Sequence, residues 1–220
     1  MTDNIFHNRY RIPSARAGWH NYNGGTYFVT VCTQNREHYF GEIEYNANDE
    51  PTMYMSEIGK IADDCIAQMD SLHNDIFVPL WTVMPNHIHL LVIVESAGHP
   101  VETPYYDVST ILQPIQTPYY NVPTEIEQTN NLLNPVKNEK MQMISNQCGR
   151  LSHVISRFKT AVTKYARRNN IPFVWQPRFH DHIVRNTTEL NDIALYIERN
   201  VAQWAYDELN DNTAYRDAIV

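Results

Sequence analysis

A chain of 220 residues, 43% of them hydrophobic, can bury one well-packed core with an elaboration, or at most two small domains. No apolar run approaches the roughly 20 residues of a membrane-spanning helix, and the N-terminal stretch lacks the apolar segment of a signal peptide, so the sequence predicts no membrane partner. The net charge of −8 argues against a polyanionic partner for the chain as a whole, although its basic residues are concentrated in one stretch.

The cysteines Cys32, Cys65 and Cys148 lie far apart and show no Cys-x-x-Cys spacing. An odd number of separated cysteines disfavours a disulfide framework or a zinc ribbon. The sequence therefore predicts free thiols and a cytoplasmic location.

The first third of the chain predicts a strand, a hairpin and a helix. Residues 1–20 read as an irregular basic arm, and a turn signal then precedes a strand at residues 26–33, where β-branched and aromatic residues alternate. Residues 41–56 predict a hairpin around a polar turn. Ser56 can cap an amphipathic helix to about His73, because apolar residues recur there at intervals of three and four.

Two strands are predicted next, at residues 76–83 and 87–94, and the second contains two histidines. His87 and His89 are two residues apart, so in a strand both imidazoles lie on one face of the sheet. Two adjacent imidazoles make half of a metal site and need a third ligand from elsewhere in the chain. The residues that can enter a core on the other face are Ile88, Leu90 and Val92.

Residues 96–149 differ in kind from the rest of the chain. They are polar, contain proline and repeat the pattern Thr-Pro-Tyr-Tyr at positions 103 and 117, without helical or strand periodicity. A structureless loop of this length is unusual inside a compact domain, so we interpret the segment as a mobile insertion within a single domain of residues 1–220. Its paired tyrosines could stack on nucleic-acid bases, or the segment could be a surface extension without catalytic consequence.

An ordered, basic stretch follows this segment. Apolar residues at helical spacing predict a helix over residues 151–168, and a turn then leads to an edge strand at residues 180–185. Between residues 150 and 185, eight Lys or Arg residues accompany one acid. These cations are either the solvated face of a helix or local contacts to a polyanion. The candidates for such contacts are Arg157, Lys159, Lys164, Arg167, Arg168, Arg178, His182 and Arg185.

The last predicted helix begins at Asn186, with Glu189 three residues later as in a capping box. Its buried stripe recurs at the helical period and extends to Trp204. Tyr196 and Asn200 are four residues apart, so they lie one above the other on the flank of that stripe.

The histidine strand and the last helix together offer groups that could act on a phosphate ester. If the helix packs beside the imidazole face, His87, His89 and Asn200 could hold a divalent cation that polarises a phosphate oxygen. Tyr196 beside it would be the nucleophile and would become a phosphotyrosine. A free phenol has a pKa of about 10, so it needs a nearby cation to react at neutral pH. Mixed nitrogen and oxygen ligands suit Mg²⁺ or Mn²⁺, although imidazoles also favour Zn²⁺.

Three segments of the chain resemble a known protein family. They read TYFVTVCTQNREHYFGEI, MPNHIHLLV and VWQPRFHDHIVRNTTELNDIALYIERN. They are similar to the single-tyrosine transposases of the HUH class, and nearest to the branch associated with repetitive extragenic palindromes. The resemblance covers about residues 18–95 and 150–204. A His-x-His pair alone is a weak signal, but it is specific when joined in this order to Trp-Gln-Pro-Arg-Phe and Tyr-Ile-x-x-Asn.

The resemblance implies a role for each site residue. His87 and His89 would be the metal-binding pair, Tyr196 would attack DNA, and Asn200 would be the polar third ligand of Mg²⁺ or Mn²⁺. The family implies cleavage and rejoining of single-stranded DNA beside a hairpin, through a covalent 5′-phosphotyrosine. It also implies an α+β fold, in which a ferredoxin- or RRM-like antiparallel sheet is flanked by helices. Many members are homodimers, and a monomer stays open for this chain.

Two departures from the family pattern matter. Relatives often have Asn-Pro where this chain has Asn200-Val201, so the last helix could run on to Trp204. The segment at residues 96–149 stands between the histidine strand and the basic helix, where it could alter hairpin recognition.

Other interpretations of the same residues stay open. His87 and His89 could be satisfied core residues, and Asn200 could be only a helix C-cap. His180 and His182 share a predicted strand face and could contact metal or phosphate. The chain could also be a non-catalytic, domesticated protein that binds DNA hairpins. A histidine-triad-like nucleotide hydrolase is a further alternative, although position 91, where the third histidine is needed, is leucine.

Overall fold

The computed structural model describes residue 20 and residues 22–95 and 149–210, together with the backbone of two short strands near the N-terminus. The strands are β1 (Ile5–Phe6), β2 (Arg9–Tyr10), β3 (Gly25–Cys32), β4 (Gly41–Tyr45), β5 (Pro51–Met55), β6 (Ile76–Val83), β7 (His87–Val94) and β8 (His180–Val184). The helices are α1 (Glu57–Ala67), α2 (Met69–Leu72), α3 (Gly149–Arg168) and α4 (Thr187–Arg199), with 3₁₀ turns at Gln34–Arg36 and Trp204–Tyr206.

A four-stranded antiparallel sheet, in the order β6–β7–β3–β8, organises these elements. In chain order its strands alternate with helices as β3–α1–β6–β7–α3–β8, which is the connectivity of a ferredoxin-like fold. Strands β4 and β5 form a separate hairpin between β3 and α1, and β1 pairs with β2. The predicted α+β class, an antiparallel sheet flanked by helices, is confirmed.

One face of this sheet is covered by α1 and α3, and the opposite face is where α4 packs. Because side chains alternate along a strand, β3 and β7 each send every second residue into the core under α1 and α3. From β7 these residues are Ile88, Leu90 and Val92, as predicted, and all three are fully buried. The other face of β7 therefore carries His87 and His89, and α4 contacts β6 and β7.

Two predicted helices end earlier in the structure than the apolar pattern indicates. The helix predicted to continue to His73 ends at Ala67, because Gln68 leaves the regular helical conformation and its N–H is shared between the carbonyls of Asp64 and Ile66. A single turn, α2, follows.

The last helix does not run on to Trp204. Helix α4 ends at Arg199, Asn200 is its C-cap, and a 3₁₀ turn then redirects the chain. The N–H of Gln203 is shared between the carbonyls of Arg199 and Asn200, which marks the change of direction. This early end brings residues 207–209 back against the histidines.

Several predictions fall on parts of the chain that the structure does not describe. The segment 96–148, its two Thr-Pro-Tyr-Tyr repeats and Cys148 lie outside the described residues, as does most of the predicted arm at residues 1–20. Cys32 and Cys65 are free thiols. No described helix combines the length and apolar character needed to cross a membrane.

Glu95 and Arg150, on either side of segment 96–148, are both bound by Asp75. The backbone carbonyl of Asp75 accepts a hydrogen bond of 2.9 Å from the N–H of Glu95. Its carboxylate binds the guanidinium of Arg150 through two hydrogen bonds of 2.5 Å. The start of α3 is also bound to the segment before β3, since the side chain of Asn23 accepts a hydrogen bond from the N–H of Arg150. Both ends of the segment are therefore anchored independently of what lies between them.

We expect that replacing residues 97–148 with a flexible linker of about eight residues leaves the fold intact. Such a linker can span about 25 Å, enough to join two points that meet at Asp75. The melting temperature should change by no more than about 3 °C, measured by differential scanning fluorimetry. Leu151→Ala serves as the control for sensitivity, because truncating a fully buried leucine should cost about 2–5 kcal/mol. Loss of cooperative unfolding in the linker variant would show that the segment completes the core.

Candidate active site

Two neighbouring imidazoles form the centre of the site. His87 and His89 project from β7 onto the face opposite the core, with ring centroids 4.5 Å apart and side chains 0% and 2% exposed. The pairing of β7 with β3 places Cys32 opposite His87 and Thr30 opposite His89. The predicted juxtaposition of the two imidazoles on one sheet face is therefore found.

Each imidazole is oriented by a hydrogen bond at Nδ1. The Nδ1 of His87 lies 2.8 Å from Oδ1 of Asn86, and the Nδ1 of His89 lies 2.9 Å from Oγ1 of Thr30. Burial, with the neighbouring His89, holds the pKa of His87 well below its usual value, and burial lowers the pKa of His89 to about 3. Both rings are therefore neutral at physiological pH, which is the form that binds metal ions.

Helix α4 brings Tyr196 to the imidazoles within a single chain. The Tyr196 hydroxyl lies 3.3 Å from Nε2 of His89, and the Tyr196 ring makes edge contacts with the rings of His89 and Phe28. The side chain is 39% exposed, so one side of it faces solvent. Burial and, to a lesser extent, Asp207 raise the pKa of Tyr196, so the phenol keeps its proton at neutral pH.

Asn200 and Asp207 lie beside the imidazoles and line the same cleft as Tyr196. Asn200 is 1% exposed, and its Nδ2 donates to Oδ2 of Asp207 at 3.3 Å. The N–H of Leu209 donates to Oδ1 of Asp207 at 2.7 Å. Oδ2 of Asp207 lies 3.9 Å from Nε2 of His87, beyond hydrogen-bond distance.

The polar atoms of this cluster fit a divalent metal ion. Nε2 of His87 and Oδ1 of Asn200 are buried, and neither has a hydrogen-bond partner among the described residues. An unsatisfied buried polar atom costs about 1–3 kcal/mol, so two of them side by side need an explanation. The ligand atoms of His87, His89 and Asp207 lie within 4.8 Å of one another, close enough to share one ion. These residues, with Asn200 adjacent, could therefore hold a metal ion through nitrogen and oxygen atoms.

Asp207 is a member of this group that the sequence analysis misses. It follows the predicted helix, in a tail where Asp207 and Glu208 are adjacent, and the sequence does not indicate which of the two carboxylates would reach the imidazoles. Its spacing of seven from Asn200 is the signal that was available. In a continuous helix that spacing would repeat one face, but the chain reaches the site through the turn after Arg199 instead.

The site opens into a cleft of about 590 Å³ between α4, the tail and the sheet. The cleft is open to solvent at Tyr206, whose side chain in its wall is 75% exposed. His180, one of the two strand histidines considered from the sequence, also lines it. The other walls include Phe28, Thr30, Cys32, Arg36, Gln203 and Glu208.

Half of the predicted basic candidates line a second groove, of about 520 Å³, beside α3. These are Lys159, Lys164, Arg167 and Arg178, and hydroxyls of α3 lie among them. Lys159 is already engaged, because its Nζ donates at 2.7 Å to the carbonyls of Gln176 and Arg178. Burial lowers the pKa of Lys159 to about 8. Phe179 lines this groove and the next residue, His180, lines the cleft, so the start of β8 contributes one side chain to each.

The remaining basic candidates lie away from this groove. Arg157 and Arg168 are exposed on α3, and Arg185 follows β8. His182 is held by Glu189, with 2.6 Å between its Nε2 and the carboxylate. Glu189 also accepts from the N–H of Arg185, while Asn186 caps α4 as predicted by accepting from the N–H of Glu189. His182 and Glu189 are thus partners of each other at the start of α4.

Comparison with known proteins found no matching family model. An uncharacterized protein of Haemophilus influenzae strain Rd is 27% identical over 199 residues, which cover 89% of this chain and 91% of that protein. The structure of a REP-associated tyrosine transposase bound to a REP hairpin matches with a TM-score of 0.44 and 16% identity, over 90% of this chain and 77% of that chain. A crystal structure from Deinococcus radiodurans R1, provisionally named a transposase, matches with a TM-score of 0.31 and 14% identity. The match covers 86% of this chain and 97% of that chain.

Proposed function

We propose that this chain is a metal-dependent enzyme that cuts and rejoins single-stranded DNA through a covalent bond to Tyr196. One observation carries the proposal: the Tyr196 hydroxyl lies 3.3 Å from Nε2 of His89, at the edge of a buried cluster whose polar atoms fit a divalent ion. A partly exposed phenol beside such a cluster is suited to attack a phosphate that enters from the cleft.

The proposed reaction exchanges one phosphodiester bond for another. The Tyr196 hydroxyl gives up its proton to solvent as its oxygen attacks a DNA phosphorus atom. The bond from phosphorus to the 3′-oxygen breaks, and the leaving oxygen takes up a proton from solvent as a free 3′-hydroxyl. The 5′-phosphate stays on Tyr196. Rejoining is the reverse, in which a 3′-hydroxyl attacks the phosphotyrosine and the phenol is released. The phosphodiester bond is exchanged and not hydrolysed, so the same site can cut a strand and transfer it.

Each residue of the site has a part in this scheme. His87, His89 and Asp207, with Asn200 adjacent, would hold Mg²⁺ or Mn²⁺, and the ion would supply positive charge that polarises a phosphate oxygen. Helix α4 and the rings of Phe28 and His89 fix the direction of the Tyr196 hydroxyl. Since burial and Asp207 raise the pKa of Tyr196, compensation of the Asp207 charge would make the phenol easier to deprotonate.

The proposed substrate is a single strand that carries a hairpin, bound by one domain. The basic groove beside α3 could contact phosphates of the duplex stem, and a DNA molecule that passes around the edge strand β8 could also reach the cleft. Tyr196 reaches His89 in its own chain, so the chemistry does not require a second copy. A homodimer remains a prediction from the sequence.

The test is a covalent-adduct assay. The chain is incubated with Mn²⁺ and a panel of hairpin oligonucleotides labelled at either end, and the products are separated under denaturing conditions. A 5′-phosphotyrosine predicts that 3′-labelled DNA becomes attached to protein, while 5′-labelled DNA gives a shorter free fragment. Binding without adduct or cleavage across the panel would favour a non-catalytic hairpin-binding protein. Hydrolysis of small nucleotides instead would favour the nucleotide-hydrolase alternative.

A further inference from the structure

The side chain of Asn86 binds both the strand that supplies the imidazoles and the tail that supplies Asp207. Asn86 lies between β6 and β7, immediately before His87, and is fully buried. Its Oδ1 lies 2.8 Å from Nδ1 of His87, and its Nδ2 donates to the carbonyl of Leu209 at 2.8 Å. Its backbone carbonyl accepts from the N–H and the hydroxyl of Thr33, both at 2.9 Å. The position of Asn86 is therefore fixed by a third segment of the chain.

These contacts determine which nitrogen of His87 carries the proton. A backbone carbonyl only accepts, so the amide group that faces Leu209 must be the NH₂ of Asn86. The oxygen of Asn86 then faces His87, and an oxygen without hydrogen only accepts, so Nδ1 of His87 must be the donor. A neutral imidazole carries one N–H, which leaves a lone pair on Nε2, the buried atom that has no hydrogen-bond partner within residues 22–95 and 149–210.

The other end of the same carboxamide acts on Asp207. Leu209, whose carbonyl Asn86 binds, is two residues beyond Asp207, and the N–H of Leu209 donates to Asp207 Oδ1 at 2.7 Å. The bond from Asn86 to Leu209 thus holds the turn that presents Asp207 towards His87. One side chain links the strand that supplies the imidazoles with the tail that supplies the carboxylate.

We infer that Asn86 is a positioning residue for the metal centre, which sets the tautomer of His87 and fastens the Asp207 turn to β7. The inference rests on the metal site of the proposed function. A residue that orients a metal ligand in this way typically contributes about a 10- to 100-fold factor to metal affinity. Removal of Asn86 should therefore weaken metal binding even where the fold is retained.

The test compares metal binding by full-length variants. Mn²⁺ affinity is measured by isothermal titration calorimetry, Co²⁺ coordination by visible absorption, and stability by thermal unfolding in EDTA. Asn86→Ala removes both contacts and should lower Mn²⁺ affinity by about 10- to 100-fold and change the Co²⁺ spectrum. Asn86→Asp keeps an oxygen towards Nδ1 of His87 but replaces the NH₂ that binds Leu209 with a carboxylate oxygen, so it breaks the Leu209 contact and keeps the His87 contact, and its loss of affinity should be smaller. Thr33→Val is the matched control, because it removes the hydroxyl that binds the backbone carbonyls of Asn86 and Glu37 without touching the carboxamide.

Each outcome bears on a different part of the inference. Wild-type Mn²⁺ affinity in folded Asn86→Ala would overturn the positioning role alone. Equal losses of affinity in Thr33→Val and Asn86→Ala would overturn it too, because affinity would then follow stability. If Asn86→Ala does not unfold cooperatively, Asn86→Asp decides: an affinity within about 10-fold of wild type supports the role, and a loss as large as that of His87→Ala overturns it. Absence of Mn²⁺ and Co²⁺ binding in the wild type would overturn the metal site of the proposed function, and the role of Asn86 with it.

Discussion

Replacing Tyr196 with phenylalanine should abolish the covalent DNA adduct and lower the rate of strand cleavage by at least about 1,000-fold. Only the hydroxyl oxygen is lost, and in the proposed reaction this oxygen forms the new bond to phosphorus. The fold should be retained, because phenylalanine keeps the ring contacts with Phe28 and His89, and the lost contact to His89 is long and partly exposed. We expect a change in the free energy of unfolding of no more than about 1 kcal/mol.

The matched control for this change is Tyr206→Phe. Tyr206 lines the same cleft and is 75% exposed, but its hydroxyl has no assigned part in the chemistry. Tyr206→Phe should keep adduct formation within a few-fold of wild type. An adduct that persists in Tyr196→Phe and disappears in Tyr206→Phe would move the nucleophile to Tyr206. Both rates are read from the same denaturing gel, with the 3′-labelled hairpin DNA.

The parts of the site that the sequence predicts are those governed by local periodicity. A strand repeats every two residues, so the alternation in β7 is enough to place His87 and His89 on one face and Leu90 on the other. A helix repeats every 3.6 residues, so Tyr196 and Asn200 must share a flank of α4. Both elements contain clear patterns, and the fold follows once they are paired in a ferredoxin-like order.

The parts that the sequence does not predict depend on where the chain turns between elements. Asp207 reaches the imidazoles only because α4 ends at Arg199 and the tail folds back, and no periodic pattern encodes that reversal. Lys159 is similar: its charge and spacing favour a solvated contact to a polyanion, yet its amine binds two carbonyls that the segment before β8 brings to it. The hydrogen-bond partners of Asp207 and Lys159 therefore depend on tertiary packing and not on local sequence.

The end of α4 at Arg199 determines where Asn200 and Asp207 lie. A helix that continued to Trp204 would carry residues 200–204 in one direction, away from the sheet. Because α4 ends at Arg199, Asn200 is a buried C-cap whose amide binds Asp207, while its oxygen has no partner in the described parts of the chain. The structural interpretation of Asn200 as a C-cap and the chemical interpretation as a metal ligand are therefore compatible, since one residue ends the helix and points an oxygen into the cluster.

Replacing Asp207 with asparagine should weaken metal binding without lowering the stability of the apo-protein. Without metal, Oδ2 of Asp207 faces Nε2 of His87 at 3.9 Å, and two lone pairs so placed in a buried site repel each other. The amide of asparagine can donate towards that nitrogen, which offsets the loss of the oxygen that accepts from Nδ2 of Asn200, so the melting temperature in EDTA should not fall below that of the wild type. Mn²⁺ affinity should fall by at least about 100-fold, because the cluster loses its one carboxylate.

Thermal unfolding separates these two effects. At a Mn²⁺ concentration 100 times the dissociation constant, binding stabilises the wild type by about 2.7 kcal/mol, which corresponds to a rise of about 5–10 °C for a chain of this size. Asp207→Asn should lose this Mn²⁺-dependent rise, although its melting temperature in EDTA is no lower than that of the wild type. Glu208→Gln neutralises the exposed carboxylate next to Asp207 and should keep the rise. If Asp207 only stabilised the turn through its bond to Leu209, Asp207→Asn would keep the Mn²⁺-dependent rise, because asparagine retains that acceptor. That result would remove Asp207 from the ligand set and leave His87, His89 and Asn200 as the candidate metal ligands.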